Sequence, residues 1–215
     1  MNKKKRIMIA VMAAFVLISI IGALVLLFEK DDGDVFVSSF VYNSDYKPKS
    51  HIFFEPEQDA DIFADPDYQK AVPFIYYERD GIKKCITDEN YAPYGAVVEF
   101  FGEYFDALKA GDTDKFNSMH SQRYFAHNRE YIDIAPQRLY DITIEYIFEK
   151  DMTDPDYGEV TKYVYEVSYK IMKNDGTFRN DIGSDGSRPL YLEIVETSDT
   201  SIFVDACGDE YNMPE

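Results

Sequence analysis

Residues 7–28 form an uninterrupted apolar segment without a charged side chain, directly after the basic cluster at residues 3–6. At about 1.5 Å of rise per residue, a helix of these 22 residues spans a hydrocarbon core of roughly 30 Å. Basic residues before the segment and acidic residues after it favour a cytosolic N-terminus. The sequence therefore predicts a cytosolic tail at 1–6, a transmembrane anchor at 7–28 and an extracytoplasmic remainder.

The end of the apolar segment favours a retained anchor over a cleaved signal peptide. A signal peptide has an apolar core of about 7 to 15 residues and a small-x-small cleavage site. This segment is longer, runs directly into Glu29 and has no Ala-x-Ala pattern near its end, nor a cysteine for lipidation. We therefore predict a single-pass protein of the cell membrane, and the composition favours a bacterial source.

The charge of the chain argues against a nucleic-acid partner. Removing the four positive charges of residues 3–6 from the net charge of −18 leaves −22 for the exported part. A nucleic-acid partner requires a basic surface, so none is expected. The acidic surplus raises the alternative of a bound hard cation. However, the turn with Asp154, Asp156 and Glu159 is the nearest approach to a calcium loop, and it lacks the full pattern. We predict no metal and no cofactor.

The exported chain divides into four sections. Residues 29–70 are acidic and rich in turn-forming residues, which predicts a stalk with one short strand at 35–41. Residues 71–90 predict a small hairpin around Asp80 and Gly81. Residues 91–208 carry the long periodic segments of a domain, and residues 209–215 are a C-terminal tail.

The first part of the domain has helical periodicity. Apolar residues recur at three- and four-residue steps from Val97 to Leu108, and Gly111 follows as a C-cap. Asp112 is the predicted N-cap of a short second helix. A third helix is predicted from residue 128 to 134.

The second part of the domain has the alternating periodicity of strands. Four strands are predicted, near residues 141–148, 162–171, 190–194 and 201–207. Helices followed by strands indicate an α+β domain, with the helices packed on one face of a curved four-stranded antiparallel sheet.

The segment 99–119, with its aromatic stripe, its Gly-Asp pair and the following Phe116, resembles the opening of NTF2-like domains (the SnoaL-like or cystatin-like cone superfamily). The resemblance covers residues 91–208. It implies a sheet that wraps the long helix and leaves a cavity between them. The superfamily contains isomerases and dehydratases, but also non-enzymatic binding domains. Some of these are tethered scaffold subunits of secretion and conjugation machines, and the arrangement here is similar to theirs.

Two cysteines, Cys85 and Cys207, are a candidate disulfide because the domain is predicted to lie outside the cytosol. The bridge would join the hairpin to the last strand. The alternative is a pair of separate buried thiols.

Two histidines and several tyrosines are the remaining site candidates. His120 and His127 would suit proton transfer in a cavity, but their polar surroundings in the sequence are typical of an exposed loop. Tyr163, Tyr165 and Tyr169 share one strand face, and with Tyr104 they are candidates for a pocket lining. The alternative is that these rings fill the core.

No catalytic or phosphate-binding motif occurs, so no catalytic residue is assigned. The sequence favours a non-enzymatic, membrane-anchored domain that binds a protein partner or associates with itself. The alternatives are a pocket for a small ligand in the cell envelope, and an enzyme that uses His120 or His127.

Overall fold

A six-stranded sheet organises the part of the chain that the structure describes. The computed structural model describes residues 62–71, 74–87, 90–128 and 130–209, all within one compact unit. The strand order is β2-β1-β3-β4-β5-β6. The strands are β1 (Ile75–Arg79), β2 (Ile82–Ile86), β3 (Leu139–Asp154), β4 (Gly158–Ile171), β5 (Leu190–Thr197) and β6 (Ile202–Gly208).

The prediction of a four-stranded antiparallel sheet is wrong. Strands β3 to β6 are antiparallel neighbours, but the hairpin β1–β2 extends the same sheet because β1 pairs with β3 in parallel. This pairing places Ile75 beside Ile142 and Tyr77 beside Ile144. The hairpin itself is present as predicted, yet it belongs to the sheet of the domain and makes that sheet mixed.

The described domain has three α-helices, the number predicted, but the third lies at different residues. Helix α1 (Ala96–Ala110) ends at Gly111, which adopts the left-handed conformation expected of a C-cap. Helix α2 (Thr113–Ser118) is capped by Asp112, as predicted. The predicted third helix at 128–134 is wrong, since helix α3 (Gln122–His127) precedes that segment and is capped by Ser121. Of the helices in the described part of the chain, only α1 is longer than six residues.

The core lies between α1 and one face of the sheet. Phe101 packs against Tyr165 with 5.0 Å between ring centroids, and Phe105 packs against Tyr169 at 5.9 Å. A β-bulge in β3 between Tyr146 and Phe148 interrupts the predicted alternation, because one extra residue shifts the following side chain to the other face.

The end of the predicted stalk packs on the domain. Tyr68 is buried and its hydroxyl donates to the carbonyl oxygen of Leu139 at 2.9 Å. Asp65 forms ion pairs with Lys173 at 2.9 Å and Arg138 at 3.5 Å. The cytosolic tail, the anchor at 7–28, the predicted strand at 35–41 and most of the C-terminal tail lie outside the described residues. Within the described ranges, no helix has the length and apolarity needed to cross a membrane.

Candidate functional site

The tyrosines predicted to line a pocket lie in or beside the core. Tyr104, Tyr165 and Tyr169 are buried, whereas Tyr163 is half-buried and donates to Glu196 at 3.0 Å. The Tyr104 ring lies 4.8 Å from that of Phe116. Burial raises the pKa of Tyr104, and it raises that of Tyr169 to about 12, so both phenols stay protonated. Their contacts are those of core side chains, and a ligand pocket at these residues stays a prediction.

The two histidines occupy different environments. His120 is buried, and Tyr124 and Phe116 pack on it with centroid distances of 4.3 and 4.7 Å. Its Nδ1 lies 2.7 Å from the carbonyl oxygen of Phe116, which is consistent with an N–H donor at that position. Burial lowers the pKa of His120 to about 4, so the ring is neutral at neutral pH. His127 is exposed on α3.

The two cysteines are free thiols, and the predicted Cys85–Cys207 disulfide is not formed. The reason is the strand order: Cys85 lies on β2 and Cys207 on β6, the two outermost strands, with four strands between them. Cys85 is exposed. Cys207 points towards the core, where burial raises its pKa to about 12.

A cluster of charged side chains, which we call the ion cluster, joins α3 to four strands or their turns. The sequence did not predict it. Lys162 Nζ lies 3.0 Å from Glu193 Oε1, 3.4 Å from Asp154 Oδ2 and 4.0 Å from Asp205 Oδ2. Arg123 contacts Asp154 at 2.9 Å and Asp205 at 3.5 Å. The three carboxylates and Lys162 are almost fully buried.

The charges of the ion cluster do not balance among its described members. Three buried carboxylates face Lys162 and Arg123, and Glu193 Oε2 has no hydrogen-bond partner. Burial works against the charge of Asp154, but Arg123, the Asp156 N–H and Lys162 together outweigh burial and lower the pKa of Asp154 to about 2. Burial raises the pKa of Glu193. The cluster is therefore anchored at Asp154 and least compensated at Glu193.

The acidic turn considered as a cation site is engaged with protein partners. Asp154 and Asp156 both contact Arg123, at 2.9 and 3.2 Å. Glu159 accepts a hydrogen bond from Thr153 at 2.6 Å. In the described part of the chain, no group of three or more His, Cys, Asp or Glu residues has a geometry that could hold a metal ion.

Among the described residues, no strand pairs with the outer edge of β2. Asp80 and Gly81 have φ values of 53° and 73°, the signature of a type I′ turn. In a two-residue hairpin of this type, the flanking pair Arg79–Ile82 exchanges both backbone hydrogen bonds, and such pairs alternate along the strands. The N–H and C=O groups of Lys83 and Cys85 consequently point away from β1, towards the open edge of the sheet.

The side chains of β2 are exposed along most of the strand. Four of its five residues are exposed, and only Ile86 is buried. Ile82 is 60 % exposed and Phe74, just before β1, is 50 % exposed. The opposite edge differs, because Val204 of β6 exchanges backbone hydrogen bonds with Met119 and Ser121. Within the described part of the chain, the β2 edge is therefore the more open of the two.

Asn90 covers part of this open edge. Its Oδ1 accepts from the Thr87 N–H at 2.8 Å, and its Nδ2 donates to the Cys85 carbonyl oxygen at 3.3 Å. These contacts show that the Cys85 carbonyl and the Thr87 N–H face outward. The backbone N–H and C=O of Lys83 are therefore the most accessible hydrogen-bonding groups of this edge.

Comparisons with known proteins identify no relative. No protein-family model, no curated protein and no solved structure matches this chain. The resemblance to NTF2-like domains therefore stays a prediction.

Proposed function

We propose that this chain is a single-pass membrane protein whose extracytoplasmic domain binds a protein by strand addition to β2. The observation that carries the proposal is the open edge of β2, with the outward backbone groups of Lys83 and Cys85. Strand addition uses such groups for affinity and the neighbouring side chains for specificity. The exposed Ile82 supplies an apolar contact beside them.

The predicted anchor supports this proposal. A tethered domain meets its partners within the plane of one membrane, where the effective concentration is raised. A short strand edge, which gives few hydrogen bonds, is then sufficient for association.

The test uses two substitutions at one residue of the full-length protein in its own membrane. Lys83→Pro removes an outward N–H without removing a hydrogen bond to β1, whereas Lys83→Ala removes only the side chain. We expect chemical cross-linking to recover the complex with the wild-type and Lys83→Ala proteins, and at least tenfold less of it with Lys83→Pro. Circular dichroism of the purified variants checks that both are folded.

Two results would contradict strand addition at β2. One is recovery of the monomer alone from the wild-type membrane. The other is an equal yield of complex with folded Lys83→Pro and with Lys83→Ala, because the edge N–H would then play no part.

A further inference from the structure

We propose that the partner strand at the β2 edge is an acidic segment of another protein, with two successive carboxylate side chains next to an apolar one. This inference rests on the proposed function and names the chemical class of its partner. It is carried by the side chains of Ile82, Lys83 and Lys84, which are all exposed beside the outward backbone groups of β2.

The charge of β2 differs from that of every other described strand. It contains Lys83 and Lys84 and no acidic residue, so its net charge is +2. The other five strands of the described sheet are each neutral or negative. The whole chain has 40 acidic and 22 basic residues. The open edge is thus a locally positive part of an acidic protein.

The two lysines have no acidic partner among the described residues. The Lys83 ammonium donates to Thr143 Oγ1 at 2.9 Å and lies 5.1 Å from the centroid of the Tyr76 ring. Glu78 is opposite Lys83 on β1, yet neither Lys83 nor Lys84 forms an ion pair within the described ranges. A carboxylate of the partner would replace the hydroxyl contact of Lys83 with a charge-assisted hydrogen bond, which is roughly twice as strong.

The same lysines act against one occupant and in favour of another. Lysines on an edge strand oppose the association of identical edges, because like charges directly opposite each other are destabilising. Opposite charges in the same positions are stabilising. Repulsion of the wrong strand and attraction of the right one together give specificity. The charge of β2 therefore selects an acidic strand.

The alternation of β2 determines the pattern of the partner strand. Lys84 lies on the same face as the buried Ile86, and Lys83 lies on the other face. Directly opposite residues of neighbouring strands share a face, so the partner needs carboxylates at two successive positions. The next position is opposite Ile82, which is 60 % exposed and is best covered by an apolar side chain. The expected pattern is acid-acid-apolar in an antiparallel pair and apolar-acid-acid in a parallel one.

The experiment measures the binding of three peptides to the full-length protein in a non-ionic detergent, by anisotropy of a neutral fluorescent label. Each peptide is Thr-Ser-Val-X-X-Val-Ser-Thr, where X is Glu, Gln or Lys, and this palindrome suits both strand orientations. We expect the Glu peptide to bind at least tenfold more tightly than the Lys peptide, with the Gln peptide between them. The net charge of −22 outside the predicted anchor favours the opposite order. A preference for the Glu peptide is therefore not a general effect of charge.

Charge reversal at the edge tests which residues produce the preference. The double variant Lys83→Glu/Lys84→Glu should bind the Lys peptide at least tenfold more tightly than the Glu peptide. The matched control is Lys70→Glu/Lys115→Glu, which changes the net charge equally at exposed residues outside the strands. It should keep the order of the wild type. Circular dichroism checks that both double variants are folded.

Three results would overturn the acidic partner. One is equal binding of the three peptides by the wild type, or tighter binding of the Lys peptide. Another is a reversed order with the control variant as well as with the edge variant. The third is a membrane complex of twice the 24.9 kDa chain mass that contains this chain alone, because the occupant would then be a second copy.

These failures are distinct from failure of the proposed function. Lys83→Ala keeps Lys84, so it should weaken binding of the Glu peptide by no more than about fivefold, whereas Lys83→Pro should weaken it at least tenfold further. Equal binding of all three peptides that is lost with Lys83→Pro retains strand addition and removes only the acidic partner. Binding of the Glu peptide that is the same with Lys83→Pro and Lys83→Ala removes strand addition, and both proposals with it.

Discussion

Glu193 is the least paired carboxylate of the ion cluster. One carboxylate oxygen binds Lys162 at 3.0 Å and the other has no partner. Lys162, in contrast, lies within 4.0 Å of three carboxylates. Removing one partner of a buried ion pair is costly when it leaves a charge uncompensated. Neutralising Glu193 leaves two buried carboxylates facing two cations, whereas removing Lys162 leaves three facing Arg123 alone.

We therefore predict a small effect on stability for Glu193→Gln and a large loss for Lys162→Met. Glu193→Gln should change the free energy of unfolding by no more than about 1 kcal/mol, since it keeps an oxygen for Lys162. Lys162→Met should lower it by about 3 to 5 kcal/mol. Urea unfolding of the full-length protein at pH 7, followed by far-ultraviolet circular dichroism, measures both. A loss with Glu193→Gln as large as that with Lys162→Met would mean that the Glu193 charge stabilises the fold.

His120 makes stability depend on pH. Burial lowers its pKa to about 4 in the folded state, below the ordinary value of 6.5. The folded state therefore binds the proton less readily than the unfolded state, and stability falls as the pH decreases from about 6.5 to about 4. This difference in pKa corresponds to about 3 kcal/mol.

The matched variant is His120→Asn, whose amide can still donate to the Phe116 carbonyl. Titrations of other groups cancel when the two unfolding free energies are subtracted at each pH. We expect the advantage of the wild type over His120→Asn to shrink between pH 6.5 and 4. A difference that stays constant across this range would contradict a neutral, buried His120.

At the scale of the elements, local signals predicted what local geometry determines. Asp80-Gly81 specifies its hairpin through two residues with positive φ, and the apolar stripe with Gly111 specifies α1. Strand pairing is not local, since β1 pairs with residues more than sixty positions later in β3. The alternation of a strand does not indicate which other strand pairs with it, so the edge position of β2 could not be predicted.

The ion cluster escaped prediction for a related reason. The alternation along β4 places Lys162 on the face of the sheet that α1 does not cover. A lysine on such a face is ordinarily solvated. In the structure the carboxylates of Asp154 and Glu193 surround Lys162. They lie on the strands next to β4, and the sequence does not indicate that these strands are its neighbours. The bulge in β3 and the irregularity between β5 and β6 also shift side chains between faces. For α3, the sequence did contain a signal, because Ser121 has the chemistry of an N-cap.

Substitution of Asn90 tests whether its side chain limits the access of a partner strand to the β2 edge. Asn90→Ala frees the Cys85 carbonyl and the Thr87 N–H, so the partner strand no longer has to displace a side chain. We predict about fivefold tighter association in the cross-linking assay, corresponding to about 1 kcal/mol of association free energy. Asn90→Asp, which keeps the acceptor for Thr87 but loses the donor for Cys85, should lie between. An unchanged or lower yield of complex with Asn90→Ala would show that Asn90 does not limit access to the edge.

At the scale of the whole molecule, the two cysteines report on the predicted orientation in the membrane. Cys85 is exposed on one outer strand, whereas Cys207 on the other is directed into the core. A thiol reagent must reach its target and meet a thiolate. Cys85 should therefore react readily in the folded chain and Cys207 should not. This contrast makes Cys85 a probe for the side of the membrane on which the domain lies.

Intact cells that produce the full-length protein are used to test this orientation. After mild reduction, a maleimide that does not cross membranes should label the wild type and Cys207→Ser, and at least tenfold less of Cys85→Ser. Labelling of Cys85 only after the cells are broken would place the domain in the cytosol and contradict the predicted orientation. Labelling of Cys85→Ser in intact cells would show that Cys207 is reachable. The external location and the contrast between the two edges are thus tested separately.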